Sequence, residues 1–424
     1  MTSPKVKLVH AADLHLDSPM LGLERYPGAP VDEVRGATRR AFEGLVDLCL
    51  AEDARLLLIA GDVYDGDWKD YSTGLFFVAQ LNRLREIGAR VVVVRGNHDA
   101  GSQITRHLRL PDHVLELPHA RPVTHVFEEL GVAVHGQSFR DRSTKSDLAS
   151  GYPDGIRGAL NIGILHTSVT GRPGHDDYAP CTLDTLVRKE YDYFALGHVH
   201  RREVLSRAPW VVFPGNLQGR HMKETGPKGA TLIDVDGGRV TSVEHRTLDV
   251  VRWTVCEVDA RDADAPDDVL DRARAALGRE VDAAEGRTLA ARVVVHGASR
   301  AHAALQSHAE RWEAELRAAA TEFPDELFLE RVVLDTRAEL DVERLAERRD
   351  ALGQVARAML TLRTDADARS SLLAELGDLK AKLPSEVRDG VEAVELDDGD
   401  SLLEALADVE QMLLPSLAAL GSDD

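Results

Sequence analysis

Residues able to hold metal ions recur in five polar islands, each at the end of an apolar run. They are Asp13-Leu14-His15, Gly61-Asp62-Val63-Tyr64-Asp65, Gly96-Asn97-His98-Asp99, the isolated His166, and Gly197-His198-Val199-His200. Together they offer Asp, Asn and His donors enough for two divalent cations in one pocket. Two adjacent cations activate a water and polarise a phosphate ester at once, so phosphate-ester hydrolysis is the chemistry this set of residues would perform.

The spacing predicts which donor goes where. An Asp-x-His triplet leaving a strand turns Asp13 and His15 to one side, because side chains two apart share a face of extended chain. Asp62 follows a glycine and has two carboxylate oxygens, so it can bridge cations roughly 3.5 to 4 Å apart. Asn97 offers an amide oxygen and His166 and His198 offer imidazoles to the second cation, while His200 returns to the first. Mixed oxygen and nitrogen donors suit Mn²⁺, Fe²⁺ or Zn²⁺ better than the all-oxygen sites of Ca²⁺ or Mg²⁺.

Each island alone has a plainer reading. Gly-Asn-His-Asp can be a turn, and a histidine at a strand end is more often a satisfied core residue. Their joint occurrence after strands, with a full set of donors, is what points to a metal centre. His98 follows a ligand without being needed as one, so it can face substrate and protonate a leaving oxygen; the alternative is a histidine that orients Asp62 or Asn97. Asp99 is placed to orient His98. The expected nucleophile is a metal-activated water attacking phosphorus in line with the departing alkoxide.

These islands need a sheet whose strand ends converge. Short β-branched runs at Val6 to Ala11, Leu56 to Ala60, Val91 to Val94, Val132 to His135, Ile162 to Leu165, Tyr193 to Leu196, Val211 to Phe213 and Thr231 to Val235 read as strands. Helical patterns at 33 to 53 and 70 to 88 separate the first three, and turns such as Asp236-Gly237-Gly238 imply antiparallel pairs at the end. The fold class is mixed, layered α/β, with ligands at the carboxyl ends of strands. Residues 137 to 160 and 167 to 181 read as long surface loops.

Past residue 250 the pattern becomes strand (Trp253 to Val258), helix (Pro266 to Leu277), strand (Leu289 to Val295), helix (Ala301 to Ala320), strand (Leu327 to Leu334), a small α/β unit of its own. The rest reads as helical, with Leu345, Leu352 and Met359 repeating every seven residues, Leu372, Leu376, Leu379 and Leu383 on one face, and Leu402, Leu406, Val409 and Leu413 on another. Ser401 and Glu404 form a capping box and Pro415 ends or kinks the last helix. The predicted domains are 1–249 with the metal site, an α/β cap at 250–338, and a helical region at 339–424 suited to docking a partner.

At 424 residues, 43% hydrophobic and 29% charged, the composition is that of a globular protein. The net charge of −21 is uneven: residues 251–424 carry 21 Lys and Arg against 39 Asp and Glu, leaving residues 1–250 near neutral. Acidity argues against nucleic acid as a partner, since non-specific affinity comes from Lys and Arg neutralising phosphates; the near-neutral first half weakens that objection. Cys49, Cys181 and Cys256 are too few and too scattered for a zinc motif or a disulfide framework. No apolar run of membrane length and no signal-like segment is present, so the expected location is cytoplasmic, with no membrane partner.

The order Asp-x-His, Gly-Asp-x-x-Asp, Gly-Asn-His-Asp, His, Gly-His-x-His resembles that of the calcineurin-like metallophosphoesterase superfamily, whose fold is a sandwich of two mixed sheets flanked by helices. Two longer stretches, His10-Ala11-Ala12-Asp13-Leu14-His15-Leu16-Asp17-Ser18-Pro19 and Pro214-Gly215-Asn216-Leu217-Gln218-Gly219-Arg220-His221, with Glu224 and Lys228-Gly229 following, are similar to the bacterial YhaO branch of DNA repair exonucleases, relatives of the SbcD nuclease subunit. The resemblance covers residues 8 to 229, and the unit after 250 sits where this family carries a capping domain. It implies that Asp13, His15, Asp62, Asn97, His166, His198 and His200 hold two divalent metal ions, manganese in this family, and that His98 is catalytic. It further implies exonuclease or endonuclease cleavage of DNA phosphodiesters, a partner ATPase with an SMC-like coiled coil, and room for a homodimer. One departure stands out: some nuclease relatives place a second substrate-facing histidine where this chain has Asp65.

Arg220, His221 and Lys223, in the family-like segment, are expected at the pocket rim on substrate phosphate, with a solvated turn as the alternative. Trp68 could stack on a base or serve as loop packing. Two other functions remain to be weighed: a non-enzymatic DNA-end-binding or scaffolding subunit of an SMC-like ATPase complex, and a phosphoesterase for small nucleotides or phosphoproteins.

Overall fold

The computed structural model describes residues 5–18, 36–65, 71–101, 108–169, 178–323, 326–339, 341–380 and parts of 402–417. The chain divides into two compact units. The first comprises Met1–Cys256, Leu277–Arg292 and Ala320–Arg331, and the second Glu257–Ala276, Val293–Ala319 and Val332–Asp424.

In the first unit β1 (Val6–Ala11), β2 (Leu56–Ala60), β3 (Arg90–Val94) and β4 (Val114–Glu116) pair in parallel, and β11 (Gly229–Asp236) and β12 (Arg239–Thr247) extend the sheet antiparallel from β1, in the order β12-β11-β1-β2-β3-β4. A second six-stranded sheet runs β5-β6-β7-β8-β10-β9, from β5 (Val123–Phe127), β6 (Val132–Gly136), β7 (Leu160–His166), β8 (Tyr193–Gly197), β9 (Glu203–Arg207) and β10 (Trp210–Phe213). The expected mixed α/β sandwich is thus present. Its eight apolar strands fall where the β-branched runs are, and the turn at Gly237 and Gly238 joins β11 to β12 as an antiparallel pair.

The apolar runs are continuous because both faces are covered. In β2, Leu56, Leu58 and Ala60 point into a core shared with Val132, Val134, Ile162, Ile164, Tyr193 and Ala195 of the second sheet. Leu57 and Ile59 point the other way, into a core closed by α1 (Ala37–Ala51) and α2 (Tyr71–Arg83) through Phe42, Leu45, Val46, Phe77 and Leu81. The strands that composition did not reveal are short or half-exposed: β4 spans three residues, and β9, Glu-Val-Leu-Ser-Arg, is a half-buried edge.

The segment 137–160 differs from the expected surface loop. It has little regular structure, yet Phe139, Ala149 and Tyr152 are buried, and the Tyr152 hydroxyl donates to the Ile164 carbonyl of β7 at 2.8 Å. Three apolar anchors bind an irregular segment to the second sheet, an arrangement without periodicity and therefore invisible to pattern reading.

Strands β13 (Val251–Asp259), β14 (Thr288–Ser299) and β15 (Leu327–Ala338) form a three-stranded sheet in that order, each strand divided between the two units. The helix α3 (Leu183–Val187) lies in the first unit, and α4 (Pro266–Ala283) follows β13. The single helix expected at 301–320 is two, α5 (His302–Ser307) and α6 (Ala309–Ala320), because His308 leaves helical geometry at φ −131 and ψ 40. The Ser307 hydroxyl and His308 Nδ1 lie 2.9 Å apart, a local bond of the kind that competes with helix. In the second unit follow α7 (Val342–Ala346), α8 (Ala351–Thr364) and α9 (Ala366–Lys380). Asp341 and Asp350 cap α7 and α8 by accepting from Arg344 and Gly353 N–H. Leu352 and Met359 of the seven-residue repeat are buried with Val342, Ala356 and Leu414, a packing face within this unit. Trp68, Ser401, Glu404 and Pro415 lie outside the described residues.

The three cysteines are free and buried. No helix among the described residues is long and apolar enough to cross a membrane.

Phe42 is fully buried and stacks on Phe77 with ring centroids 5.4 Å apart. Phe42→Ala should destabilise the protein by about 3 to 5 kcal/mol in denaturant unfolding; a loss under about 1 kcal/mol would contradict this packing of α1 on the first sheet.

Candidate metal centre

The strand ends β1, β2, β7 and β8 are tied together by their own backbones. Asp13 N–H donates to Gly61 O (3.0 Å), His15 N–H to Asp62 O (3.0 Å) and Leu16 N–H to Val63 O (2.9 Å), while Thr167 N–H donates to Gly197 O (3.0 Å). The extended geometry expected for Asp13 and His15 is not what turns them inward. Asp13 (φ 52), His15 (φ 43), Asp62 (φ 52) and His198 (φ 101) all have positive φ. Few side chains adopt such backbones, and Asp and His are among those found there more often than most. Positive φ at four of the expected ligand positions fits a functional site held by its surroundings.

All seven expected ligands come together at the strand ends. Ligand atoms of Asp13, His15 and His200 lie within 4.8 Å of one another, as do those of Asp13, Asp62 and His166. Asp62 Oδ2 stands 4.0 Å from His15 Nε2 on one side and 3.4 Å from His166 Nε2 on the other, the position of a bridge. His166 donates from Nδ1 to Ala60 O at 2.9 Å, which turns Nε2 toward Asn97 Oδ1 at 3.0 Å. His198 lines the same pocket, and its backbone N–H donates to both Asp13 oxygens at 3.1 and 3.0 Å. His15 Nε2 and His200 Nε2 face each other at 3.3 Å.

The electrostatics fit divalent cations. Asp13 and Asp62 are buried, and among the described residues no Lys or Arg lies within 4.0 Å of either carboxylate. Burial, with repulsion from Asp62, pushes the Asp13 carboxyl well above its usual range, and burial raises Asp62 as well. Burial lowers His15 far below an ordinary imidazole, lowers His166 to about 3, and lowers His200 despite its acidic neighbour. Neutral imidazoles beside two buried carboxylates, on which Arg220 acts only at longer range, are the donor set that transition-metal dications take.

His98 occupies a different position. Its backbone N–H donates to Asp62 Oδ1 at 3.0 Å, while its side chain, 39% exposed, faces a cavity of about 1190 Å³. Asp65 Oδ1 holds His98 Nδ1 at 2.8 Å and raises the imidazole pKa. Asp65 also accepts from Ser18 Oγ at 2.6 Å; burial would raise its pKa, but the neighbouring imidazoles of His15, 3.7 Å away, and His98 outweigh this and hold it well below the carboxylate range. Asp99, expected beside His98, accepts from Tyr64 N–H (3.0 Å) and Gly96 N–H (3.1 Å), tying the loops after β2 and β3 together.

Arg220, His221 and Lys223 all line the cavity. The Arg220 guanidinium is held within the protein, 3.0 Å from Glu224 and 3.6 Å from Asp65, and is 14% exposed; His221 and Lys223 stand open to solvent. Glu224, present in the family-like segment without a role, is the residue pattern reading missed: its carboxylate holds His200 Nδ1 at 2.6 Å. Its only signal in the sequence is its place four residues after Arg220.

Residues 6–202 match the family model for calcineurin-like phosphoesterase, and residues 253–337 match that for the middle domain of metallophosphoesterase YhaO. The uncharacterized metallophosphoesterase YhaO of Bacillus subtilis is 36% identical over 259 residues, 60% of this chain and 63% of that protein. The DNA double-strand break repair protein Mre11 of Methanopyrus kandleri is 23% identical over 281 residues, covering 59% of this chain and 58% of the relative. One of the subunits of the nuclease SbcCD of Escherichia coli K12 is 24% identical over 288 residues, covering 58% of this chain and 69% of the relative. The chain spans about three fifths of the length of the first two.

A Cβ on Gly197 would run into the Ala60 carbonyl oxygen, which accepts from His166, and would lie 3.0 Å from His166 Nδ1. Gly197→Ala should therefore lower the melting temperature and weaken divalent-cation binding together, measured by thermal unfolding and calorimetric titration. Unchanged values for both would contradict the packing of β8 on β2.

Proposed function

We propose that this chain, which carries a calcineurin-like metallophosphoesterase domain followed by a YhaO middle domain, hydrolyses phosphodiester bonds of DNA in the cytoplasm with two divalent ions, Mn²⁺ in the first instance. The observation that carries this reading is the convergence of two buried carboxylates and neutral histidines behind a cavity that His98 faces. In the proposed arrangement Asp13, His15 and His200 would hold one ion and Asn97, His166 and His198 the other, with Asp62 able to serve both. When bound, such a pair lowers the pKa of a water and polarises the ester.

The protein's own groups do the rest. Asp65 occupies His98 Nδ1 and favours the imidazolium, leaving Nε2 to donate a proton to the departing oxygen. Asp65 thus supports the acid in place of a second substrate-facing histidine. Lys223, open to solvent on the cavity wall, supplies positive charge for phosphate, with His221 beside it as a hydrogen-bonding group and Arg220 behind them. The likeness to proteins named for DNA break repair and to part of a nuclease supports DNA as substrate. The nuclease relative is named as one subunit of a complex, which supports a partner for this chain; an ATPase with an SMC-like coiled coil, docking on residues 339–424, is the partner proposed.

Purified protein with Mn²⁺ should cut single- or double-stranded DNA and stop when the metal is chelated. His98→Ala should lower kcat by about 10²- to 10⁴-fold with Mn²⁺ binding retained, whereas Asp62→Asn should lose both. Turnover of cyclic nucleotides or phosphoproteins with neither DNA form cut would replace DNA by a smaller substrate.

Removal of residues 339–424 should abolish co-purification with a coiled-coil ATPase while leaving Mn²⁺-dependent hydrolysis of a small diester. Full retention of the ATPase would refute docking at this region.

A further inference from the structure

We infer that Glu224 is a positioning residue for His200: its carboxylate fixes the tautomer and the aim of the imidazole, and Arg220 clamps that carboxylate while reaching Asp65 beside His98. This rests on the proposed ligand role of His200.

Glu224 is 6% exposed and its two oxygens are fully engaged. Oε1 accepts from His200 Nδ1 at 2.6 Å and Arg220 Nη2 at 3.0 Å, and Oε2 accepts from Asn216 Nδ2 at 2.9 Å and the Arg220 backbone N–H at 2.8 Å. A buried carboxylate persists when its lone pairs are satisfied in this way. An ionised carboxylate can only accept, which assigns the His200 proton to Nδ1 and leaves Nε2 to present its lone pair; Nε2 is the nitrogen 3.3 Å from His15 Nε2 and 4.0 Å from Asp13 Oδ1. The His200 main chain is pinned as well, its carbonyl accepting from the buried Lys228 Nζ at 2.8 Å. Carboxylate, imidazole and metal in line is the arrangement by which proteins fix a ligand's orientation and basicity.

The clamp has a second end. Arg220 Nη1 lies 3.6 Å from Asp65 Oδ2, and Asp65 Oδ1 holds His98. One guanidinium therefore spans the carboxylate that aims a ligand and the carboxylate that supports the acid. This gives Arg220 a placement within the protein's own charge network, behind the more exposed Lys223.

The rival is a purely structural glutamate that stabilises the turn from Asn216 to Glu224. Mn²⁺ titration calorimetry on the full chain, with melting temperatures measured in parallel, separates the two. Glu224→Gln, which removes the charge and puts an amide against donors, should weaken one of the two Mn²⁺ sites by about 10- to 100-fold. Glu224→Asp, which keeps the charge but shortens the reach, should weaken the same site and serves if Glu224→Gln does not fold. Asn216→Ala leaves the Oε1 bond to His200 in place, so it should lower the melting temperature and keep both affinities. Folded Glu224→Gln or Glu224→Asp protein with two wild-type Mn²⁺ affinities would overturn the inference alone. A wild-type protein that binds no Mn²⁺ would overturn the metal-centre reading, and this inference with it.

Discussion

Two carboxylates, Asp13 and Asp62, sit buried at the ends of neighbouring parallel strands with no Lys or Arg in ion-pairing reach among the described residues. Burying two like charges side by side is unfavourable unless a cation joins them or a proton neutralises one. Burial raises both carboxyls, Asp13 further through repulsion from Asp62, and burial also depresses the imidazoles around them. A divalent cation, bound by oxygen and neutral nitrogen, relieves the repulsion; so the tension among these side chains and the chemistry proposed for the site have one origin.

The sandwich exists to hold this tension in place. Its middle core packs Leu56, Leu58 and Ala60 of one sheet against Ile162, Ile164, Tyr193 and Ala195 of the other, bringing the ends of β2, β7 and β8 to one edge. A polar strut runs through the same layer: buried His10 on β1 meets the Tyr193 hydroxyl at 3.0 Å and the Leu196 carbonyl at 3.1 Å, two residues before His198. Gly61, at φ +93, and Gly197 let the backbones approach closely enough for His166 to reach Ala60. With the scaffold packed and hydrogen-bonded in this way, positive-φ backbone at Asp13, His15, Asp62 and His198 can be sustained.

Much of this is legible in the sequence, for identifiable reasons. The buried strands of the sandwich read clearly because they are covered on both faces and so are unbroken runs of Val, Leu and Ile. The candidate ligands stand out because each follows such a run. The route to the site is not legible: Asp13 and His15 converge through left-handed backbone, while the period-two argument assumes an extended one. Glu224 and Asp65 are harder still, since an orienting carboxylate is defined by which imidazole nitrogen it meets, and nothing in a linear spacing marks that. Phe139, Ala149 and Tyr152, anchoring an irregular segment, carry no period at all. His308 breaks a helix that the apolar pattern runs straight through, because a local side-chain bond leaves no trace in that pattern.

The site thus brings together groups that can hold cations, carboxylates bonded to the histidines among them, and His98 facing the cavity. The most direct measurement is an anomalous-scattering map from a Mn²⁺-soaked crystal of the full chain. Two peaks at the strand ends, both touching Asp62, one with Asp13, His15 and His200 and the other with Asn97, His166 and His198, are the predicted result. An absence of peaks there, or peaks at other residues, would contradict the account.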